Sequence, residues 1–222
     1  MDSQICVLIP ALNAEGTIGK VVKECKRYSR DIIVIDDGSF DKTSFISQNE
    51  GAFVIKHDRN MGKGMALRAG FAYALSEGYD GVITIDADGQ HNPSDIPVFI
   101  KRFSEDKPDI IIGSRMGQKE KIPKYRYYTN LVGIFFISKA TGQVLDDSQS
   151  GFRLYRREVI EEINLNTSGF ETETEILIKA GRKGCRIVSI PVDVSYKDGK
   201  SNYRPVIDTY RISILVLRSI FW

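Results

Sequence analysis

The sequence is poor in histidine and cysteine and has no long apolar run. Two histidines among 222 residues, His57 and His91, exclude zinc sites that are built on several histidines. The three cysteines lie far apart and form no C-x-x-C pair, so neither a disulfide framework nor a zinc knuckle is predicted, and a reducing compartment is favoured. The longest apolar stretches, 131–137 and 212–217, are much shorter than the ~20 residues of a membrane-spanning helix. Any membrane contact is therefore expected from one side.

The chain also lacks an excess of charge and an N-terminal targeting pattern. Its 31 Lys and Arg residues against 29 Asp and Glu residues leave a net charge of +2, which gives no global field that would attract nucleic acid. The first residues contain no basic segment followed by an apolar core, so no signal peptide is predicted and the expected location is cytoplasmic. With 42% apolar and 27% charged residues, the composition is typical of a globular protein.

Over the first 115 residues, short β-branched runs alternate with longer amphipathic segments. Strands are predicted at 5–9, 32–35, 52–55, 81–85 and 109–112. Helices are predicted at 17–28, 42–49, 63–76 and after Pro93. This alternation predicts an α/β fold in which a mostly parallel sheet is covered by helices on both faces.

The regular alternation of predicted strands and helices ends after Gly113. The second half contains a basic and aromatic segment that leads into an apolar one, an Arg-rich turn and helix from Gly151, and a helix from about Thr172. A strand near 186–194 and a last helix after Pro205 follow. Because no internal repeat or low-complexity linker separates the halves, we predict one domain whose second half differs from the first.

Polar clusters follow three of the predicted strands. They are Pro10 to Glu15, Asp36 to Ser39 and Asp86 to Gln90. Each cluster alone is an ordinary turn sequence, because Asp, Asn and Gly favour turns. Ligands of open parallel sheets bind outside the carboxyl ends of the strands, so three clusters at one edge predict a binding site there.

The sequence has neither of the two familiar phosphate-binding loops. The segment Gly62 to Gly64 lacks the third glycine of the dinucleotide fingerprint, and Gly199 to Ser201 lacks the first glycine of the P-loop. Instead, Asp86 and Asp88 form an Asp-x-Asp pair directly after an apolar strand, where two carboxylates repel unless a divalent cation lies beside them. Such a cation would organise a diphosphate.

Further motifs occur in order along nearly the whole chain. They are Leu8 to Glu15, Ile35 to Ser39, Asn60 to Gly64, Ala66 to Phe71, Asp86 to His91, Gly113 to Arg115, Gln149 to Arg153 and Phe170 to Glu175. This ordered set resembles the family 2 glycosyltransferases, specifically the dolichyl-phosphate mannose synthase-like branch. The resemblance does not indicate which sugar is used.

The resemblance implies a Rossmann-like GT-A domain over residues 1–204 and a C-terminal apolar or amphipathic helix over 205–222. It also implies a hexosyltransferase that binds a GDP- or UDP-sugar with Mg²⁺ or Mn²⁺ as cofactor. The implied nucleotide-sugar residues are Pro10, Ala11, Asn13, Glu15, Asp37, Lys63, Asp86, Ala87 and Asp88. The implied metal ligands are Asp86, Asp88 and Gln90, whose hard oxygens suit such a cation. For Lys63, a solvated lysine at a helix start is an equal alternative.

The same resemblance implies an acceptor-phosphate site. Its residues are Arg115, Arg126, Asn130 and Lys197. A guanidinium suits phosphate because its planar fork donates two hydrogen bonds at once. For Arg115 and Arg126, the alternative is an exposed arginine on a solvated helix. Lys197 stands where the family often carries arginine, so the fork is lost there. The implied catalytic residues are Asp88, Arg115 and Glu173. For Glu173, a solvated or capping carboxylate is the alternative to a site near the sugar.

Two segments bear on membrane contact. Basic residues and tyrosines in 121–128 precede the apolar run 131–137, which predicts an interfacial helix, with a buried core helix as the alternative. The last segment, 206–222, is apolar on most of its circumference. Four alternatives stay open for it: a helix on the membrane, a cover for the domain, a surface for homo-oligomers, or part of a longer membrane-bound protein.

The predicted function is that of an inverting, metal-dependent glycosyltransferase of protein glycosylation. It would transfer a sugar from a GDP- or UDP-sugar to polyprenyl or dolichyl phosphate, and the expected sugar is mannose or glucose. The enzyme is expected to be peripheral on the cytoplasmic face of the membrane. Transfer to a hydroxyl in glycan or polysaccharide assembly is the alternative. A sugar nucleotidyltransferase is disfavoured, because Asn13 to Glu15 stands where such an enzyme carries a glycine-rich loop with arginine. A non-catalytic nucleotide-binding scaffold is the last alternative.

Overall fold

The computed structural model describes residues 3–122, 124–195 and 205–219. Its strands form one seven-stranded sheet in the order β3-β2-β1-β4-β6-β5-β7. The strands are β1 (Ile5–Ala11), β2 (Ile32–Asp36), β3 (Phe53–Lys56), β4 (Gly81–Thr84), β5 (Ile110–Ser114), β6 (Arg153–Arg156) and β7 (Ile187–Pro191). The β-branched and mostly buried side chains of β1, β2, β4 and β5 are those that sequence patterning assigns to a doubly covered sheet.

Helices follow most strands along the chain. They are α1 (Ile18–Cys25), α2 (Thr43–Asn49), α3 (Lys63–Ser76), α4 (Ile96–Asp106), α5 (Lys124–Thr141), α6 (Arg157–Glu162), α7 (Thr172–Arg182) and α8 (Pro205–Ser219). The order of strands and helices in the first half confirms the predicted α/β alternation.

The two faces of the sheet carry separate apolar cores. Along β1, Leu8 points into a core that includes side chains of α3 and α7, and Ile9 points into a core that includes side chains of α1 and α4. Successive side chains of a strand point to opposite faces, so one apolar run supplies both cores. The prediction of helices on both faces is therefore confirmed.

Strand β6 is the main difference from the sequence-based expectation. Residues Arg153–Arg156 were expected within a turn and helix, but they form a strand that pairs antiparallel with both β4 and β5. All other pairs in the sheet are parallel. The two arginines of this segment made the strand hard to recognise in the sequence. The guanidinium of Arg153 is nevertheless buried, because the backbone carbonyls of Ser148, Ser150 and Glu173 accept its N–H groups.

The long helix α5 is amphipathic in its packing. Ile137 and Asn130 are buried, whereas five apolar or aromatic side chains on another side of the helix are exposed, so the alternative of a fully buried core helix is wrong. The last helix, α8, packs against α5 and α7 of the same chain. Within the described residues, no helix is long and apolar enough to cross a membrane.

Candidate active site

A cleft of about 620 Å³ opens at the carboxyl ends of β1 and β4. The chain leaves β1 through α1 on one face of the sheet and enters β4 from α3 on the other face, and ligands of open α/β sheets bind outside the carboxyl ends of the strands at such a point. Eight of the nine predicted nucleotide-sugar residues line the cleft: Pro10, Ala11, Asn13, Asp37, Lys63, Asp86, Ala87 and Asp88. Residues 169–170 and Ile207, Asp208 and Arg211 of α8 complete its wall.

The loops after β1 and β2 are linked by hydrogen bonds near one end of the cleft. Asn13 has a left-handed backbone (φ 50°), and its N–H donates to Ser39 Oγ at 2.8 Å. Its side-chain oxygen accepts from the N–H of Phe40 at 3.0 Å. Glu15, the ninth predicted residue, is exposed and not part of the cleft lining; its carboxylate accepts from the N–H of Lys42. The structure gives Glu15 a role in holding this loop.

Asp37 organises the loop that leads into α3. Its carboxylate is 2.8 Å from His57 Nδ1 and accepts from the N–H groups of Met61 and Gly62 at 2.9 and 2.8 Å. Gly62 has φ 97°, and a Cβ there would collide with the carbonyl of Ser168, so only glycine fits. This arrangement fixes the first residue of α3, which is Lys63.

Lys63 forms a bridge between two carboxylates. Its ammonium nitrogen lies 2.7 Å from Asp86 Oδ1 and 2.8 Å from Glu173 Oε2, and 5.3 Å from the ring centre of Phe170. Burial alone lowers the pKa of Lys63, but the charges of Asp86 and Glu173 raise it above its ordinary value. The side chain is 11% exposed, so the alternative of a solvated lysine is wrong.

The two aspartates of the Asp-x-Asp pair lie in different surroundings. Burial raises the pKa of Asp86, but the charges of Lys63 and Arg115 are among those that bring it below its ordinary value. A Cβ on Gly151 would collide with the Asp86 carboxylate, so glycine permits the close approach of that loop. Asp88 Oδ1 accepts from the N–H of Gln90 at 2.9 Å. Gln90 itself is buried and is not part of the cleft lining.

The carboxylates fit a cation that arrives with a diphosphate. Within the described part of the chain, no group of three or more His, Cys, Asp or Glu side chains is arranged to hold a metal ion. Asp86 and Asp88 place carboxylates at the cleft, and Mg²⁺ is commonly bound by one or two carboxylates together with phosphate oxygens and waters. The donor set is therefore adequate for a shared site and poor for a metal held by protein alone.

Two glutamates of α7 have different environments. Glu175 is fully buried and accepts from the N–H groups of Asn166 and Thr167 and from Lys179, so it stabilises the preceding loop. Glu173 is also buried, and its Oε1 has no hydrogen-bond partner among the described residues. A buried carboxylate oxygen without a protein partner is costly, so this oxygen is placed to accept a hydrogen bond from water or from a ligand hydroxyl.

Arg115 and Asn130, two predicted acceptor-phosphate residues, meet at Asp147. Arg115 donates from Nε and Nη2 to the two oxygens of Asp147, at 2.8 and 3.0 Å. Asn130 Nδ2 donates to the same carboxylate at 2.9 Å. Burial raises the pKa of Asp147, but the charge of Arg115 outweighs it, so the pKa falls to about 2. Arg126 lies in α5, but its side chain is not among those described, and Lys197 lies outside the described residues.

Sequence reasoning missed Asp147 and the contribution of α8 to the cleft. Asp147 lies two residues before the recognised motif Gln149 to Arg153, so extending that motif would have included it. Asp208 and Arg211 were visible as a narrow polar stripe on an otherwise apolar helix, and the structure places that stripe at the cleft. The polar residues on this otherwise apolar helix were therefore the sequence signal for the contribution of α8 to the cleft.

Comparisons with known proteins agree with this geometry. The family described as glycosyl transferase family 2 matches residues 6–164. A UDP-N-acetylglucosamine–dolichyl-phosphate N-acetylglucosaminyltransferase of Methanococcus voltae is 31% identical, over 89% of this chain and 88% of that protein. A dolichol-phosphate mannosyltransferase of Pyrococcus furiosus is 30% identical, over 85% of this chain and 55% of that protein.

A solved structure is similar over almost the whole chain. It is glucosyl-3-phosphoglycerate synthase from Mycobacterium tuberculosis, crystallised with Mn²⁺, uridine diphosphate and phosphoglyceric acid. The TM-score is 0.77 at 20% identity, with 98% of this chain and 77% of that chain covered. At this identity the similarity establishes the fold.

Proposed function

Because the chain belongs to glycosyl transferase family 2, in its dolichyl-phosphate sugar transferase branch, and has the GT-A fold, we propose that it transfers one sugar from a nucleoside diphosphate sugar to a polyprenyl phosphate. The observation that carries the proposal is the presence of two charged groups in the same region of the protein. Asp86 and Asp88 line the cleft, the loop at Gly151 approaches Asp86, and the same loop carries Asp147, which holds Arg115 and Asn130. The charge of Arg115 is among those that lower the pKa of Asp86. Donor and acceptor phosphates would thus meet at Asp86.

The donor side needs a divalent cation on electrostatic grounds. Asp86 and Asp88 line the cleft, Glu173 pairs with Lys63 beside Asp86, and the one ammonium offsets only one of the three carboxylates. A nucleoside diphosphate adds further negative charge, so it binds well only together with a cation. Asp86 and Asp88 would hold Mg²⁺ or Mn²⁺, which would stabilise the leaving diphosphate. The structural relative that binds Mn²⁺ with uridine diphosphate supports this assignment.

The acceptor side needs orientation more than a base. A phosphate monoester has a second pKa of about 6, so a lipid phosphate is mostly dianionic at neutral pH and attacks without losing a proton. Arg115 would orient this dianion and offset its repulsion from the leaving diphosphate. Attack from the side opposite the diphosphate inverts the sugar carbon. Glu173 would hold sugar hydroxyls through its buried Oε1.

An exposed stripe on α5 supports a lipid acceptor. The stripe has the spacing of one helix face and consists of Tyr128, Leu131, Val132, Phe135 and Phe136. Exposed Lys124 and Lys139 lie near its two ends, where they would meet anionic headgroups. Asn130, on the same helix, is buried beside Asp147. The helix would therefore rest on the cytoplasmic face of a membrane while presenting its other side to the acceptor phosphate.

Transfer to a hydroxyl is the second candidate, and one observation favours it. The buried, unpartnered Oε1 of Glu173 is the kind of group that accepts a proton from an alcohol. The arginine–asparagine group favours a phosphate, because an alcohol gains little from a bidentate cation. The two candidates therefore assign opposite importance to Glu173 and Arg115.

Transfer of radiolabelled sugar tests the proposal. The protein is incubated with a panel of GDP- and UDP-sugars that includes mannose, glucose and N-acetylglucosamine, with polyprenyl phosphate in vesicles and Mn²⁺ or Mg²⁺. Label should enter the organic phase only with cation, and mild acid should release it, because a glycosyl phosphate is acid-labile. Matched polyprenol without phosphate is the control. Label transferred to polyprenol or to a soluble glycan instead would support the hydroxyl candidate.

A further inference from the structure

Asp147 is the most highly bonded buried carboxylate of the acceptor side. Its side chain is fully buried, and it accepts from Arg115 Nε, Arg115 Nη2 and Asn130 Nδ2. The backbone N–H groups of Arg115 and Gln149 also donate to it, at 3.1 and 2.9 Å. From this geometry we propose that Asp147 is the positioning residue of the acceptor-phosphate site, an inference that rests on the proposed function.

The carboxylate of Asp147 joins three segments of the chain. Arg115 directly follows β5, Asn130 lies in the second turn of α5, and Asp147 lies in the loop between α5 and β6. Asn130 is anchored again by Ser148, whose hydroxyl donates to its side-chain oxygen at 3.1 Å. Displacing Asp147 would therefore release the guanidinium of Arg115 and remove one of the hydrogen bonds that hold Asn130.

The bidentate pair fixes the plane of the guanidinium. Two parallel hydrogen bonds from Nε and Nη2 leave Arg115 with no rotation about its terminal bonds. The plane of the guanidinium is thereby set relative to Asp147, so a phosphate that meets Arg115 would be held at a set angle, as in-line attack demands.

Fold stability alone does not account for a buried ion pair here. Removing two charges from water costs about as much as their attraction returns, and apolar pairs of similar volume are often as stable. We therefore attribute the Arg115–Asp147 pair to a role in orienting the guanidinium of Arg115. Asp147 also lowers the net charge of this group, so hydrogen-bond geometry would contribute to acceptor recognition beside the charge of Arg115.

The position of α5 connects this group to the lipid. The exposed apolar stripe and the buried Asn130 lie on different sides of one helix. Because Asp147 holds Asn130 at 2.9 Å, it fixes the depth of the phosphate site relative to the surface that would contact lipid. Asp147 thus acts through Arg115 and Asn130 and does not itself contact substrate.

A double-mutant cycle tests this role with a soluble, short-chain prenyl phosphate, so that membrane binding does not enter. Rates are measured per donor-binding site, counted by titration with nucleoside diphosphate and Mn²⁺. Asp147→Asn should lower kcat/KM for the acceptor by about 10²-fold or more and leave the donor Kd unchanged. Arg115→Ala should lose a similar factor, and the double variant should be no worse than Arg115→Ala. The matched control is Asp146→Asn, which alters the exposed neighbouring carboxylate.

Chemical rescue provides a second measurement if Asp147→Asn alone fails to fold. Arg115→Ala leaves a space beside an intact carboxylate, so added guanidinium should restore part of its acceptor kcat/KM. The same addition should not rescue Arg115→Ala/Asp147→Asn, in which the buried pair is removed as a whole. Multiplicative losses in the cycle, or equal rescue with and without Asp147, would overturn the proposal. Absence of any transfer by the wild-type protein would instead refute the proposed function.

Discussion

The ammonium of Lys63 and the carboxylate of Asp86 form a 2.7 Å ion pair at the centre of the cleft. The same ammonium is 2.8 Å from Glu173, so one cation of the chain holds together two carboxylates from separate elements. A divalent cation on Asp86 would have to compete with this bond. We therefore expect the binding of cation and donor to be linked, because a diphosphate would give Lys63 an anionic partner in place of Asp86.

The first prediction concerns Lys63→Met. Loss of the ammonium leaves Asp86 and Glu173 facing one another without a counter-charge, and a divalent cation relieves their repulsion. Without nucleotide, the variant should bind Mn²⁺ about 10-fold more tightly than the wild type, as measured from the electron paramagnetic resonance signal of free Mn²⁺. Lys101→Met, at an exposed helix position, is the matched control. Unchanged or weaker Mn²⁺ binding in Lys63→Met would contradict this account.

The second prediction concerns Asp88→Ala. Asp88 lines the cleft and is proposed as a ligand of the cation, so the variant should lose transfer and metal-dependent nucleotide binding. The melting temperature without ligand should change little, because a loop carboxylate at a cleft contributes little to the core. Calorimetric titration with nucleoside diphosphate and Mn²⁺ measures the loss. Normal metal-dependent binding would remove Asp88 from the metal site.

The third prediction concerns the apolar stripe of α5. Phe135 and Phe136 are 65% and 50% exposed, so replacing both by serine should leave the melting temperature nearly unchanged. Liposome association should fall and the apparent KM for a lipid acceptor should rise, while donor binding stays normal. Val144→Ser is the control, because Val144 is 91% exposed and lies beyond the end of the helix. If the control variant loses as much liposome binding, the exposed stripe of α5 is not the surface that contacts the membrane.

The fourth prediction concerns acid stability. The pKa of Asp147 is about 2 in the folded protein, because Arg115 outweighs the effect of burial, whereas an unfolded aspartate has a pKa of about 3.9. A lowered pKa stabilises the fold above about pH 4, and this contribution is lost as the pH falls towards 2. Denaturant unfolding should therefore show wild type and Asp147→Asn differing in unfolding free energy more at pH 6 than at pH 2.5. Asp146→Asn should show no such trend.

Local signals in the sequence predicted the first half of the fold well. The helix predicted at 63–76 matches α3, because Gly62 marks its start and its apolar residues pack on β1 and β2. The motif order also predicted the cleft, since strand ends of a parallel sheet meet at one edge. The strand at Arg153–Arg156 was missed because backbone carbonyls, among them that of Glu173, accept the N–H groups of the buried Arg153, and no local sequence pattern reveals this.

The ion pairs of the site could not be predicted from local sequence patterns either. Lys63 and Glu173 are separated by 110 positions, and Arg115 and Asp147 by 32. No spacing rule relates such residues, because the sheet order and the helix directions bring them together. The same holds for α8, whose polar stripe reaches the cleft only because the helix packs on α5 and α7.

The last prediction compares Arg115→Ala with Glu173→Gln. If the acceptor is a dianionic phosphate, no proton is removed before attack, so the orienting arginine matters more than the glutamate. Arg115→Ala should then lower the single-turnover rate under saturating donor by a larger factor than Glu173→Gln. If the acceptor is a hydroxyl, the order reverses, because losing a general base costs about 10²–10⁴-fold. Circular dichroism confirms that both variants are folded. A much larger loss in Glu173→Gln would exclude the lipid-phosphate mechanism, because only an acceptor that must lose a proton depends so strongly on the buried Oε1.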